Sequence, residues 1–289
     1  MEKSVILNSL PLWNRKFGQI LPISQELLEA NYISWPKAQR LVIRFEDSIL
    51  LLKQIGDSHF LHLPLLADYS EKTLKQAFLE LENFTKSQTI KKLKFGGDDK
   101  HIFPGVPMVP LLKNWMDFFQ KASDSVYDFQ GDLRQIQKKS NLLKSSGAIV
   151  SPKTSHEKHS LLNFVLKEFP GRWYREILHD YENDNLEYYF SFIKNEEILG
   201  YVRLYGWNKN YWAPGVYFAT PGSGTGGLGP IGIASSRRGQ GLGKEILKSS
   251  WDLLENRGCN SVRIDWTTET DFYEKAGLQI VQEYQPAIR

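Results

Sequence analysis

The chain has 289 residues, 41% apolar and 24% charged, with a formal net charge of +3: a globular composition, neither disordered nor membrane-like, and long enough for two domains. No lysine or arginine block suggests a nucleic-acid surface, and the single cysteine, Cys259, excludes an intrachain disulfide. The apolar runs, such as Ile49 to Leu52, are too short to span a bilayer, and the first residues lack the apolar core of a signal peptide, so a reducing cytoplasmic setting is expected.

In chain order, residues 1–36 contain helical pieces, clearest around Gln25 to Asn31. Arg40 to Phe45 and Ile49 to Gln54 read as a hairpin about a Glu-Asp-Ser turn, and Phe60 to Leu66 as a further strand. Glu71 to Lys86 carries Leu74, Phe78, Leu79 and Leu81 on a helical face, Ile90 to Phe95 is a strand, and Val109 to Ala122 is expected to be a helix. Between them lies the turn-rich stretch Gly96-Gly97-Asp98-Asp99-Lys100-His101-Ile102-Phe103-Pro104-Gly105-Val106-Pro107.

Residues 144–160, rich in Ser, Lys and Pro, read as a linker, which places the domain boundary between 145 and 146. His156 and His159 within it, and His59 and His62 earlier, have no third ligand nearby, so no metal is expected. Leu161 to Phe169 and Arg172 to Asp180 read as helices broken at Pro170-Gly171. Tyr188 to Lys194 and Ile198 to Leu204 form a hairpin, with Val216 to Ala219 as the next strand. Aromatics are dense from Trp173 to Phe218; core packing accounts for part, and Trp207, Tyr211 and Trp212, in a polar loop, are candidates for stacking on a sugar or aromatic ring.

The most informative stretch runs from Gly226 to Gly258. An apolar strand (Leu228 to Ala234) leads through a basic turn into Gly239, Gly241 and Gly243, and then into a helix with Ile246, Leu247, Trp251 and Leu254 on one face. The first amides of a helix lack intrahelical partners and carry the positive end of its dipole, and glycines let a ligand approach the backbone. Such a turn is an anion cradle suited to a phosphate or pyrophosphate. The Walker pattern fails here, because Glu245 follows Lys244 and Arg238 stands where its first glycine belongs. The dinucleotide fingerprint fails too, with Lys244 or Ile246 at its third glycine; Gly222, Gly224 and Gly227 match it formally but precede a strand, which makes them a turn.

Arg238-Gly239-Gln240-Gly241-Leu242-Gly243 fits R-x-x-G-x-G, and here the chain resembles the GNAT acyltransferase superfamily. The likeness continues in the strand Ser261 to Thr267 and in Asp271 to Leu278 (DFYEKAGL), which is similar to the family's Tyr-Glu-Lys-x-Gly-Phe segment with Leu278 for Phe. The order of elements in the first half mirrors the second, and Phe60 to Leu93 and Gly229 to Val262 are equally separated, which points to a duplicated unit. The resemblance thus implies an α+β fold (α/β three-layer) of two tandem GNAT-like domains, each a mixed, mostly antiparallel sheet flanked by helices, residues 1–145 and 146–289. The first copy has Ala67-Asp68-Tyr69-Ser70-Glu71 where the cradle belongs, with carboxylates that repel a pyrophosphate, so only the second is expected to bind acetyl-CoA. The stretch from Gly96 to Pro107 resembles a loop of tandem GNAT proteins with a degenerate first domain, such as mycothiol synthases and glucosaminide acetyltransferases; a loop shaping the shared cleft and a rigid connector are both open readings.

Carried over residue by residue, the resemblance implies that Arg238, Gly239, Gln240, Gly241, Leu242, Gly243 and Lys244 hold the CoA diphosphate, and that Ile231, Gly232 and Ile233 line the pantetheine arm beside a splayed strand. Tyr273 falls at the family tyrosine that protonates the CoA sulfur. No carboxylate lies in Leu228 to Ala234, where many relatives carry a base; Asp265 is the nearest candidate, then Glu269 and His179, and an amino-sugar amine needs little help beyond water. Trp266 stands where the superfamily often has an Asn. The expected activity is N-acetylation of a primary amine of a small molecule, an amino sugar foremost. The alternatives are a peptide or protein N-acetyltransferase and a non-catalytic acyl-CoA sensor, and neither nucleic acid nor membrane is an expected partner. Cys259, at a helix-to-strand junction, reads as packing and not as a nucleophile.

Overall fold

A computed structural model describes residues 2–140, 147–206 and 224–289. The first half opens with α1 (Glu2–Phe17) and α2 (Gln25–Leu28), whose end runs on as a wide helical turn over Glu29–Ile33. Strands β1 (Arg40–Phe45), β2 (Ser48–Ile55) and β3 (Ser58–Leu65) then pair antiparallel in sequence. Next comes α3 (Glu71–Ser87), capped by the Ser70 side chain and burying Leu74, Ala77 and Leu81. It returns the chain to β4 (Leu93–Phe95), parallel to β3, which is the crossover that a helix permits. Two short strands, β5 (Val106–Pro107) and β6 (Gln120–Lys121), precede β7 (Val126–Asp132) and α4 (Leu133–Ser140).

The second half repeats the scheme. After β8 (Ala148–Val150) and the helices α5 (Ser155–Glu168) and α6 (Arg172–Glu182) come β9 (Tyr189–Lys194), β10 (Glu197–Tyr205) and β11 (Thr225–Ile233). Helix α7 (Leu242–Asn256) crosses to β12 (Ser261–Thr267), parallel to β11, and α8 (Thr270–Lys275), β13 (Gln279–Gln285) and β14 (Ala287–Ile288) close the chain. The architecture is mixed α+β, two mixed sheets flanked by helices.

The halves trade strands. One sheet has the order β1-β2-β3-β4-β14-β6 and the other β5-β13-β7-β12-β11-β10-β9-β8. Strand β7 of the first half therefore sits between β12 and β13 of the second sheet, and β14 sits beside β4 in the first. The cores record the same exchange. Phe129, Leu133 and Ile136 pack with α7 and β12, whereas Tyr284 and Ala287 pack with Trp13, Phe95 and Trp115. The expected division at 145/146 falls outside the described residues, and these exchanged strands cross it.

Three expectations change. Residues 109–122 form only a short 3-10 turn, Leu112–Asp117, followed by β6. Pro110 has no amide to give and Leu111 adopts a φ of +72°, so an α-helix cannot propagate through them. The supposed linker contains the first turn of α5, because Thr154 accepts from the Glu157 amide while the Glu157 carboxylate accepts from the Thr154 amide, a full capping box. His156 and His159 are accordingly exposed helix positions. The first residues form a longer helix than expected, with Ile6, Leu10 and Trp13 buried one turn apart. Val216 to Ala219, Gly222 and the aromatics Trp207, Tyr211 and Trp212 lie outside the described residues.

Candidate active site

The site forms where β11 and β12 part. Their parallel pairing runs from Thr225 with Ser261 to Leu228 with Ile264 and stops there. Beyond it Gly229 adopts a φ of +154°, and a Cβ at this position would stand 2.7 Å from the Asp265 carboxylate, so a side chain here would have to displace that carboxylate. Buried Arg203 on β10 donates from Nε to the Gly229 carbonyl at 2.9 Å and fixes the diverging strand.

Two clefts open along this gap. The larger, about 680 Å³, is lined by Ile231, Gly232, Ile233, Arg238, Gly239, Gly241, Leu242, Gly243 and Lys244, with Phe169, Trp173 and Tyr273 opposite. Gly241 is the N-cap of α7 with a φ of +81°, in open space. Among the described residues, the amides of 239–243 donate to no acceptor, while the Lys244 amide already turns back to the Gly241 carbonyl. Those free amides, the helix dipole behind them and the flanking Arg238 and Lys244 fit a diphosphate. Gln240 is an exposed part of the same turn. Glycine at 232 lets the Phe169 ring lie against the strand, since a Cβ there would come within 2.4 Å of it.

The smaller cleft, about 270 Å³, is lined by Arg172, Arg203, Gly229, Asp265, Trp266 and Thr267, among others. It shares Trp173, Ile231, Glu269 and Tyr273 with the larger one. Burial, reinforced by the nearby Asp128, pushes the Asp265 carboxyl up to about 8. Asp128, on the exchanged strand β7, is itself raised to about 7 by burial, although it accepts from the Trp266 amide at 3.1 Å and the Tyr284 hydroxyl at 2.8 Å. Burial likewise pushes the Tyr273 phenol above its ordinary value, so it remains protonated at neutral pH. Glu269 stands at the mouth of both clefts. His179, the third candidate base, lines neither; its ring lies 6.4 Å from that of Trp35.

Ion pairs that the sequence reading missed support this floor. Arg172 binds Glu176 at 2.7 Å and lies 4.1 Å over the Trp266 ring, and the other Glu176 oxygen lies 3.8 Å from Arg203. Tyr189 donates its hydroxyl proton to Asp180 at 2.9 Å and accepts from Arg203. Arg172, Glu176 and Asp180 follow one another at i, i+4 spacing along α6, and that spacing is the trace of this network in the sequence.

The first half reaches the site through the stretch from Gly97 to His101. Arg175 grips Asp99 with two hydrogen bonds of 2.7 and 2.8 Å, and Lys100 lies 3.6 Å from Asp180. Buried Lys53 donates to Asp98 at 2.7 Å and to the carbonyls of Asp99 and Lys100. Burial pulls the Lys53 ammonium down and Asp98 pulls it back; burial would also raise Asp98, but Lys53 and then His62 hold it well below the usual carboxylate range. With its ammonium surrounded by three acceptors, the pair is ionic. Where the second copy has its cradle, the first fills the helix start with its own carboxylate. Asp68 accepts from the Ser70 amide at 2.8 Å and the Thr73 hydroxyl at 2.7 Å, bonds that pull it down to about 2.

Residues 158–278 match the sequence model of the acetyltransferase (GNAT) family. The fold agrees with solved structures throughout. The chain is 19% identical, over its whole length and with a TM-score of 0.79, to a GCN5-related glucosamine N-acetyltransferase region of a fungal multi-domain GH3 beta-N-acetylglucosaminidase, of which it spans 37%. A tandem GNAT protein from the clavulanic acid biosynthesis pathway matches at 10% identity and TM-score 0.67, covering 99% of this chain and 94% of that one. A GCN5-related N-acetyltransferase from Sphaerobacter thermophilus matches at 11% and 0.64, covering 99% and 91%. A search of the curated proteins finds no match. Residues 158–278 belong to the GNAT acetyltransferase family, and the chain as a whole carries the tandem form of its fold. Among the described residues, no cluster of metal-ligating side chains occurs, and no helix is long and apolar enough to cross a membrane.

Proposed function

We propose that the protein transfers an acetyl group from acetyl-CoA to a primary amine of a small molecule, an amino sugar foremost. The observation that carries this reading is the meeting of the two clefts at Trp173, Ile231, Glu269 and Tyr273, one suited to a diphosphate and the other small, polar and floored by a carboxyl. The thioester supplies an activated acetyl carbon. The chain's own groups do the rest. The amides of 239–243, with Arg238 and Lys244, bind the diphosphate, and the backbone of Ile231 to Ile233 runs beside the arm. Ionised Asp265 takes a proton from the acceptor ammonium; a carboxylate raised to about 8 is a stronger base than an ordinary one and still shares the working pH range of a sugar amine. Tyr273, held protonated, gives a proton to the departing thiolate, and the second amine proton replaces it.

An acceptor cleft of only about 270 Å³ favours a compact substrate over an extended peptide. The glucosamine N-acetyltransferase region with the same fold supports an amino sugar. The test is thiol release from acetyl-CoA with glucosamine, with a lysine-containing peptide, or with neither, alongside CoA binding. Release with glucosamine alone is the expected result. Release with the peptide alone makes the protein a peptide acetyltransferase, and binding without release in any arm makes it an acyl-CoA sensor.

A further inference from the structure

Residue His101 comes from the first half of the chain and lies at the floor of a site built by the second. Its ring is 2% exposed, and Nε2 is 3.6 Å from the Asp265 carboxylate. Neither ring nitrogen has a hydrogen-bond partner among the described residues. An imidazole so buried ordinarily has its N–H satisfied. The position is prepared from behind: the Asn31 side chain donates to the His101 carbonyl at 3.2 Å, Lys53 holds the two preceding carbonyls, and the ring meets Trp266 edge to face at 4.6 Å. We propose that His101 is the positioning residue of Asp265, donating its Nε2 proton to the carboxylate when Asp265 ionises, so that the first half supplies part of the acetyl-transfer machinery.

Burial, and then the charge of Arg172, keep His101 far below its ordinary pKa, so the ring is neutral and carries one N–H. While Asp265 is protonated it offers that N–H a weak acceptor, which suits the long 3.6 Å contact. Ionisation turns the same oxygen into a strong acceptor, and a shift of a few tenths of an ångström closes the bond. Hydrogen bonds of this kind are often long before substrate arrives. Asp265 is faced by Asp128 on β7, by Arg172 and Glu176 on α6 and by Arg203 on β10. His101 is faced by Arg172, Asp98, His62 and Lys53. Tyr273 on α8, protonated and lining the same cleft, feels the Asp265 charge as well. Because the His101 ring is neutral, removing it takes away a hydrogen-bond donor without changing charge.

The inference rests on the reading of Asp265 as the base, and its first test needs no acceptor. In the folded chain Asp265 keeps its proton to about pH 8, and in the unfolded chain only to about pH 4. Between those values the folded state holds the extra proton, so stability falls as pH rises through the window. The difference in unfolding midpoint between the wild type and Asp265→Asn, followed from pH 5 to 10, therefore levels off where Asp265 ionises. In His101→Leu, compared with the His101→Leu/Asp265→Asn double variant, that point moves up by about one pH unit, and His101→Gln, which retains a donor, lies between. An unmoved or lowered point overturns the proposal, and His101→Gln decides it alone if His101→Leu does not fold. With glucosamine as acceptor, His101→Leu is expected to lower kcat about 10- to 100-fold with the KM for acetyl-CoA unchanged, and to add nothing in the Asp265→Asn background. Unchanged kcat overturns the positioning role. Full turnover by Asp265→Asn removes the base itself, an outcome that the midpoint series distinguishes from failure of the His101 contact.

Discussion

In the proposed reaction Asp265 and Tyr273 divide the proton traffic, and burial pushes both toward the protonated form for different uses. Asp265 must lose its proton before it acts, so kcat/KM is expected to rise with pH along a limb centred near 8, and that limb should vanish in Asp265→Asn. A limb set at the acceptor's own pKa, followed as acceptors of different basicity are compared, would assign it to the amine instead. As the proposed acid, Tyr273 would act in the protonated form that burial already gives it. Tyr273→Phe is expected to lower turnover roughly 10²-fold while leaving CoA affinity nearly unchanged, read from single-turnover rates beside a direct binding titration. Weaker binding with an equal loss in both would make the ring a wall of the cleft and no more. Lys53 is the residue whose loss the fold should feel most. Lys53→Met strands the buried Asp98 carboxylate and is expected to cost about 3–5 kcal/mol in denaturant unfolding, most of it recovered in Lys53→Met/Asp98→Asn.

Among the elements, the strand-turn-helix from β11 to α7 was readable because its chemistry is local: alternate glycines, a basic turn and a helical apolar face lie within one stretch of chain. The smaller cleft was not readable in this way. Its floor joins Arg172 on α6, Arg203 on β10, Asp265 on β12 and, from behind, His101, groups whose separations in sequence follow no fixed spacing. Gly229 looked like one apolar-strand glycine among several, yet the Asp265 carboxylate lies where its side chain would be. Gly229→Ala should thus displace Asp265 and depress turnover at least tenfold while CoA still binds; normal turnover would mean the floor can give way. The expected helix over 109–122 failed because the apolar period survives in Trp115, Phe118 and Phe119 while Pro110 and Leu111 deny the backbone an α-helical course. Periodicity reports which side chains are buried, and a 3-10 turn buries the same ones.

At the scale of the whole molecule, the exchange of β7 and β14 makes each sheet depend on the other half. The duplicated order of elements was visible in the sequence; the exchange was not, since β14 is two residues long and β7 resembles any strand. Thermal unfolding is expected to show one cooperative transition, and deletion of residues 286–289 should destabilise the whole chain, because Leu93 and Arg289 exchange backbone hydrogen bonds and Arg289 lies 4.0 Å over Phe118. Two separated transitions, or a truncated chain as stable as the parent, would show that the sheets stand independently. The exchange also governs how the polypeptide emerges from the ribosome. The edge of β4 waits for Ala287 and Ile288, synthesised long after it, so the first sheet stays incomplete until the strands of the second have been made. During that interval an open apolar seam is available to chaperones, and to the same seam on a neighbouring nascent chain.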